Sequence, residues 1–197
     1  VDAGIGPFAR FSIEFARRGY LVTGIDISPN ILEAAEKRIN MSGQKVKLFE
    51  DDLINIKKIK EEQDLVFCFG TFGHIPSFLA LKVLKEFNKV LKKSGYAYIH
   101  FWINKEKTIR NILHDFAYDF GHYIKNKMGR GYRVNSSFYT EEEIEEMVKL
   151  SGFEIVSRRL LETEAEDSVE KLAKILPRQM FTTKIQAQAL GRIVSSH

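Results

Sequence analysis

Asp2-Ala3-Gly4-Ile5-Gly6-Pro7-Phe8, followed further on by Gly24-Ile25-Asp26-Ile27-Ser28, is the stretch on which the reading of this chain turns. Two glycines, two residues apart, let the backbone turn tightly and let a ligand come close to it. Asp26 stands 20 residues beyond Gly6, at the end of the next apolar run. A carboxylate at that point can accept hydrogen bonds from both hydroxyls of a ribose. The glycine pair alone is a weak signal that a plain structural turn also explains; joined to Asp26 it reads as a nucleotide site.

Working outward, Phe8 to Arg18 carries apolar residues at rough helical spacing and Gly19 ends it. Leu21 to Ile27 reads as a buried strand, and Ser28-Pro29 as a helix cap with proline at the first helical position, the helix reaching about Asn40. Val46 to Phe49 and Leu65 to Phe69 are strand-like, with Asp51 and Asp52 on the polar connection between them. Phe78 to Leu91 is helical, Lys92 to Gly95 a turn, and the aromatic-rich Tyr96 to Trp102 a strand. Thr140 with Glu143 forms a capping box for a helix to about Leu150, stopped by Ser151-Gly152. Phe153 to Arg158 then supplies a strand, Ser168 to Lys174 a helix, and Met180 to Val194 a last strand. Strand and helix alternate throughout, which predicts an α/β, doubly wound, mostly parallel sheet of seven strands. Residues 103–138 break that rhythm. A stripe at Ile109, Ile112, Leu113, Phe116, Phe120 and Ile124, then a basic loop through Gly129 and Gly131, predicts an inserted helical cap over the substrate side.

The chain has 197 residues, 44% of them hydrophobic, which suits a single domain spanning 1–197. It opens on Val1 and reaches the glycine loop after three residues. A central strand is usually longer, so we expect the front of the first strand and an upstream helix to be missing from the given sequence. The lone Cys68 cannot form an internal disulfide or a zinc site built on cysteines, and no metal site is expected. No apolar run approaches the roughly 20 residues that cross a bilayer and no signal peptide is evident. The expected setting is the cytoplasm. A formal net charge of +4 permits an anionic partner without requiring one.

The order D-A-G-I-G at 2–6, G-I-D-I-S at 24–28, E-D-D-L at 50–53, D-L-V-F-C-F-G at 64–70 and L-K-K-S-G at 91–95 resembles the class I S-adenosylmethionine-dependent methyltransferases. The segment from Phe138 to Val156 is similar to the closing helix and strand of their small-molecule-like branch. The resemblance implies a Rossmann-like methyltransferase fold and S-adenosyl-L-methionine as cofactor. It places Asp2, Gly4 and Gly6 under the methionine part, Asp26 and Ile27 at the ribose, Asp51, Asp52 and Leu53 at the adenine, and Cys68 and Phe69 beside the sulfonium. Asp52 followed by Leu53 fits the adenine position better than Asp51. The family often has a third glycine where Phe8 stands, which leads us to expect either a narrower pocket or an altered methionine end.

Each assignment has a plainer rival. Asp2 serves equally well to orient the turn, and Cys68 reads as a small buried hydrophobe rather than a nucleophile. His74, just past the fourth strand, is the candidate base, with a purely structural role as its rival. Tyr132, Tyr139, His114 and His122 are candidate substrate contacts from the cap. The expected activity is methyl transfer to a small molecule. A tRNA acceptor is the alternative, since residues 105–133 hold seven basic against three acidic residues; a solvated helix face explains them too. The strand-four end lacks the N-P-P-Y-like motif of exocyclic base amine methyltransferases, and Cys68 lacks the preceding proline of cytosine-C5 enzymes. An NAD-dependent oxidoreductase satisfies Gly4-x-Gly6-x-x-Ala9 plus Asp26 formally, and a binding module without turnover is the remaining reading. Oligomeric state leaves no mark in the sequence.

Overall fold

The computed structural model describes residues 1–103, 109–128, 137–158 and 186–191. In chain order the elements are β1 (Asp2–Ala3), α1 (Arg10–Arg17), β2 (Val22–Asp26), α2 (Pro29–Ser42), β3 (Val46–Glu50), β4 (Gln63–Cys68), α3 (Ala80–Val90), β5 (Leu91–Phe101), α4 (Ile109–Lys127), α5 (Glu141–Leu150) and β6 (Gln186–Gly191). Two short 3-10 turns, Phe72–His74 and Ser77–Leu79, lie between β4 and α3. The sheet order is β3-β2-β1-β4-β5-β6, with every pairing parallel. Strand order therefore reverses between β1 and β4, and in open parallel sheets the crevice for a ligand lies above that point, at the carboxyl ends of the strands.

The local signals account for the helices. Ser28 caps α2 by accepting from the Ile31 N–H, Pro29 opens the helix, and Gly43 ends it in the left-handed region. The capping box of α5 is complete: the Thr140 N–H donates to Glu143 at 2.8 Å and the Glu143 N–H to Thr140 at 3.2 Å. The central strands are buried on both faces, as layered parallel sheets require. Val66 and Cys68 of β4, with Ala97, Ile99 and Phe101 of β5, join Val83, Leu84 and Phe87 of α3 and Ile144 and Val148 of α5 in the main core. The alternate residues Phe67 and Tyr98 face the other way and meet Phe11 of α1.

The strand count differs from the sequence expectation. The described residues hold six strands, not seven. Phe153–Arg158 holds a single bridge position, at Ile155, and Phe153 and Ile155 pack with the main core. The turn expected at Lys92–Gly95 is absorbed into β5, whose register slips where Gln63 faces Leu91 and Leu65 faces Tyr96. Residues 109–127 do form a helix, α4, but the described part of its stripe is not a buried face. Leu113, Phe116, Phe120 and Ile124 are all at least 40% exposed, whereas Asp119 is 3% exposed. A carboxylate stays buried there because Ser77 N–H and the Ser137 hydroxyl both donate to it. The proposed helix 168–174, the basic loop 129–136 and Tyr132 lie outside the described residues, as does the side chain of His114.

Candidate functional site

The loop after β1 is pinned before it reaches the crevice: Gly4 N–H and Ile5 N–H both donate to the Ile25 carbonyl, at 2.8 and 3.1 Å. Gly4 (φ +79°) and Gly6 (φ +66°) both occupy the left-handed region that favours glycine. Their surroundings differ in an informative way. A Cβ on Gly4 would come within 2.2 Å of the Thr71 hydroxyl, which itself donates to the Gly4 carbonyl. A Cβ on Gly6 would meet nothing within 4 Å. Gly4 is thus demanded by the approach of the loop after β4, and Gly6 leaves open space at the strand ends.

Asp26 ends β2 beside this space. Its carboxylate accepts from the Ser28 N–H at 3.0 Å and is also held by the N–H groups of Gly6 and Ile27. Burial raises its pKa above the ordinary carboxylate value, and those N–H bonds act against the rise. Ile27, next along the chain, is 56% exposed. Asp51 N–H donates to the Asp26 carbonyl, so the end of β3 is tied to the same point.

Asp51 and Asp52 divide their work. Asp51 is buried and both its oxygens are committed: one accepts from Asp52 N–H, the other from Lys57 and Lys58 N–H at 2.9 and 2.7 Å. It organises the loop and does not face the crevice with a vacant oxygen. Asp52 is half-buried, accepts from the Ile54 N–H through one oxygen, and is followed by Leu53, partly packed on the core.

Asp2 is buried below the glycine loop and accepts from the Ser12 hydroxyl of α1 at 2.7 Å. Burial, with a contribution from the Asp26 charge, lifts its pKa to about 6 from 3.8, against the Ser12 bond. The folded chain therefore holds a proton there that the unfolded chain has already released. Stability is highest below about pH 4 for this group and falls as pH rises through about 6, by up to about 3 kcal/mol. Urea unfolding of Asp2→Asn across pH 4–6.5 is expected to show a flatter profile than the unaltered chain; an unchanged slope would assign the pH dependence elsewhere.

At the end of β4 the two side chains named there turn inward. The Cys68 side chain is fully buried among Val66, Ala97 and Ile99, and burial, reinforced by the Asp2 charge, pushes its thiol far above the ordinary value. It is core, and its side chain does not reach the crevice. Phe69 turns to the α1 side, where it stacks on His100 at 4.5 Å and meets Phe11 at 5.1 Å. Tyr139, named as a substrate contact, is 2% exposed and packs on Phe72 and Phe101. His122 pairs with Tyr118 on α4. His74 is exposed at the end of the first 3-10 turn, edge-on to Trp102 at 4.8 Å. Phe8, expected to narrow the pocket, instead lies under the Arg38 guanidinium and lines a hollow of about 520 Å³ between α1 and α2.

Two further groups escaped the sequence reading. His100 is held neutral, its pKa pushed down to about 4 by burial, with a buried Nδ1 that has no hydrogen-bond partner among the described residues. Trp102 lies so close over Gly73 that a Cβ there would come within 2.4 Å of the indole. Period-two alternation along Tyr96-Ala97-Tyr98-Ile99-His100 was the available signal for the first; nothing local signalled the second. Among the described residues no cluster of His, Cys, Asp and Glu suits a metal ion, and no described helix is long and apolar enough to cross a membrane.

Comparison with known proteins bears on the fold. Residues 1–95 match the family model described as "Methyltransferase domain". No curated protein matches the chain. Among solved structures, a magnesium protoporphyrin IX methyltransferase from Synechocystis PCC 6803 with bound S-adenosylhomocysteine is similar at a TM-score of 0.56 and 21% identity, over 79% of this chain and 64% of that one. An S-adenosylmethionine-dependent methyltransferase from Clostridium acetobutylicum ATCC 824 is similar at a TM-score of 0.58 and 17% identity, over 81% of this chain and 74% of that one. The chain thus spans less than two thirds of the length of the first of these. Residues 1–95 thus match a methyltransferase-domain model, and the chain shares the fold of class I S-adenosylmethionine-dependent methyltransferases.

Proposed function

We propose that the protein binds S-adenosyl-L-methionine in the crevice between β1 and β4 and directs its methyl group to a small-molecule acceptor. The observation that carries this reading is the open space over Gly6 beside the Asp26 carboxylate, itself oriented by backbone N–H groups. The donor set fits the cofactor: Asp26 for the ribose hydroxyls, exposed Ile27 and Leu53 for the flat adenine, and Asp52, with its second oxygen, for the adenine amino group. When bound, the cofactor supplies a methyl carbon already activated by its sulfonium. What remains for the chain is to orient the two reactants, exclude water and, where the acceptor must lose a proton, to accept it. The buried Cys68 and the aromatic layer beneath Phe69 give the floor an apolar, rigid character.

Calorimetric titration with S-adenosylmethionine, S-adenosylhomocysteine and NAD tests the reading. Binding of both adenosyl ligands and not of NAD is expected; binding of NAD alone would sink it in favour of an oxidoreductase. Adenosyl binding with no transfer to any acceptor would identify a binding module. The small-molecule reading is supported by the similarity to a methyltransferase named for magnesium protoporphyrin IX; the basic segment 105–133 is what supports a nucleic-acid acceptor instead.

His74 is proposed to take the acceptor's proton. Conversion of His74 to glutamine is expected to lower kcat about a hundredfold for an acceptor that must be deprotonated, with S-adenosylhomocysteine affinity unchanged. Equal rates for both proteins would leave His74 with a structural role alone.

A further inference from the structure

Three segments meet at the carboxyl ends of β4 and β5, and each contributes two aromatic residues to two different layers. The lower layer is Phe72, Phe101 and Tyr139, all 2% exposed or less, with ring centroids 4.5 to 6.1 Å apart. The upper layer is His74, Trp102 and Phe138: the imidazole stands perpendicular to the indole at 4.8 Å, and the Phe138 ring is tilted 38° to it at 5.6 Å. The lower set already fills the core. The upper set is surplus to it, since His74 is exposed, Phe138 is 40% exposed and Trp102 is half-buried.

The backbone segments that carry the upper layer are tied to one another. Gly73 allows the indole to lie against the backbone. Ser137 N–H donates to the Gly73 carbonyl at 2.7 Å, Tyr139 N–H to the Trp102 carbonyl at 2.9 Å, and the Ser137 hydroxyl to the Ile75 carbonyl. Asp119 of α4 gathers Ser77 N–H and the Ser137 hydroxyl from below. Aromatic faces fixed before a ligand arrives bind a flat partner without the cost of ordering them. Rings set at steep and shallow angles to one another present both an edge and a face, the two geometries that aromatic pairs prefer.

We propose that His74, Trp102 and Phe138 form the acceptor seat, and that the acceptor is a planar aromatic molecule. This rests on the methyl-transfer reading above and adds the acceptor's chemical class to it. An aliphatic acceptor of equal size gains the apolar contact but not the ring geometry. The imidazole at the border of the seat suits an oxygen or nitrogen on the rim of the planar ligand.

Trp102 is the only tryptophan in the chain, so its indole Nε1–H gives one resonance that reports on the seat alone. The test adds 2-naphthol, and separately decahydro-2-naphthol, to the protein saturated with S-adenosylhomocysteine. The two probes share a carbon skeleton and a hydroxyl and differ in flatness. The expected result is a saturable shift of the indole resonance by 2-naphthol, with affinity about tenfold or more above that of the puckered probe. Trp102→Leu is expected to remove that preference and Trp102→Phe to keep part of it, both with unchanged S-adenosylhomocysteine affinity. Equal affinity for the two probes on the unaltered chain, or naphthol binding that leaves the indole resonance in place, overturns the seat; neither outcome depends on a variant folding. Cofactor binding without a flat-probe preference removes the seat and leaves the methyl-transfer reading. A flat-probe preference without cofactor binding does the reverse.

Discussion

Replacement of Asp26 by alanine is expected to weaken binding of S-adenosylmethionine and S-adenosylhomocysteine by at least about a hundredfold, because two charge-assisted hydrogen bonds to the ribose are worth about 3 to 6 kcal/mol together. The expectation follows from where the carboxylate sits. It ends β2 directly beside the switch point, and burial raises the cost of its charge, so a ribose that satisfies it gains more than it would at an exposed site. The same carboxylate accepts from Ser28, Gly6 and Ile27 N–H groups, so alanine also loosens the loop it binds through. Asp26→Asn separates the two effects: it keeps an acceptor for the Ser28 N–H but carries no charge. An intermediate loss for asparagine, with both variants folded by their unfolding midpoints, supports the ribose role. Affinity within threefold of the unaltered chain for a folded Asp26→Ala would reject it.

Legibility in the sequence followed the range over which each feature is determined. Gly4, Gly6, Asp26, the Ser28-Pro29 cap and the Thr140 and Glu143 box all depend on neighbours a few residues away, and the structure places each at a turn, strand end or helix start. The division between Asp51 and Asp52 was not legible, since it depends on which oxygens Lys57 and Lys58 N–H groups reach after the loop has closed. The α4 stripe misled because helical spacing says that one face is apolar but not what will cover it; Phe78 meets Phe116, Phe120 and Tyr123 by their rings while the helix commits a carboxylate, Asp119, to the interior. Tyr139 read as a surface contact for the same reason. The adjacent Phe138 and Tyr139 point to different layers, and only the pairing of Tyr139 with the end of β5 decides which is buried. The aromatic seat is a meeting of residues 74, 102 and 138, and no local pattern announces a contact over such separations.

The stability of the crevice depends on a layer far from its polar groups, and Phe67→Ala is expected to remove about 3 to 5 kcal/mol of unfolding free energy. Phe67 is 1% exposed, with ring centroids of Phe11 at 4.8 Å, Phe15 at 5.2 Å and Tyr98 at 4.7 Å. These neighbours come from two elements, α1 and β5, packed in one cluster with it, so the space left by its ring cannot be filled by the movement of one side chain. Its backbone also ties β4 to β1: its N–H donates to the Val1 carbonyl at 2.8 Å and Asp2 is its register partner. A cavity here therefore loosens the strand that carries the glycine loop and the helix that carries Ser12, the partner of Asp2. Two consequences separate this layer from an ordinary surface contact. Phe116→Ala, removing a ring that is 48% exposed, is expected to cost under about 1 kcal/mol. Saturation with S-adenosylhomocysteine at 100 times its Kd is expected to restore about 2.7 kcal/mol to Phe67→Ala, because a ligand that binds only the folded chain stabilises it by mass action. Urea unfolding with and without the ligand measures both. A loss of less than 1 kcal/mol for Phe67→Ala would mean that α1 does not rest on β4 and β5 as described; a full loss without recovery on ligand would mean that the glycine loop and the aromatic layer are not parts of one cooperative unit.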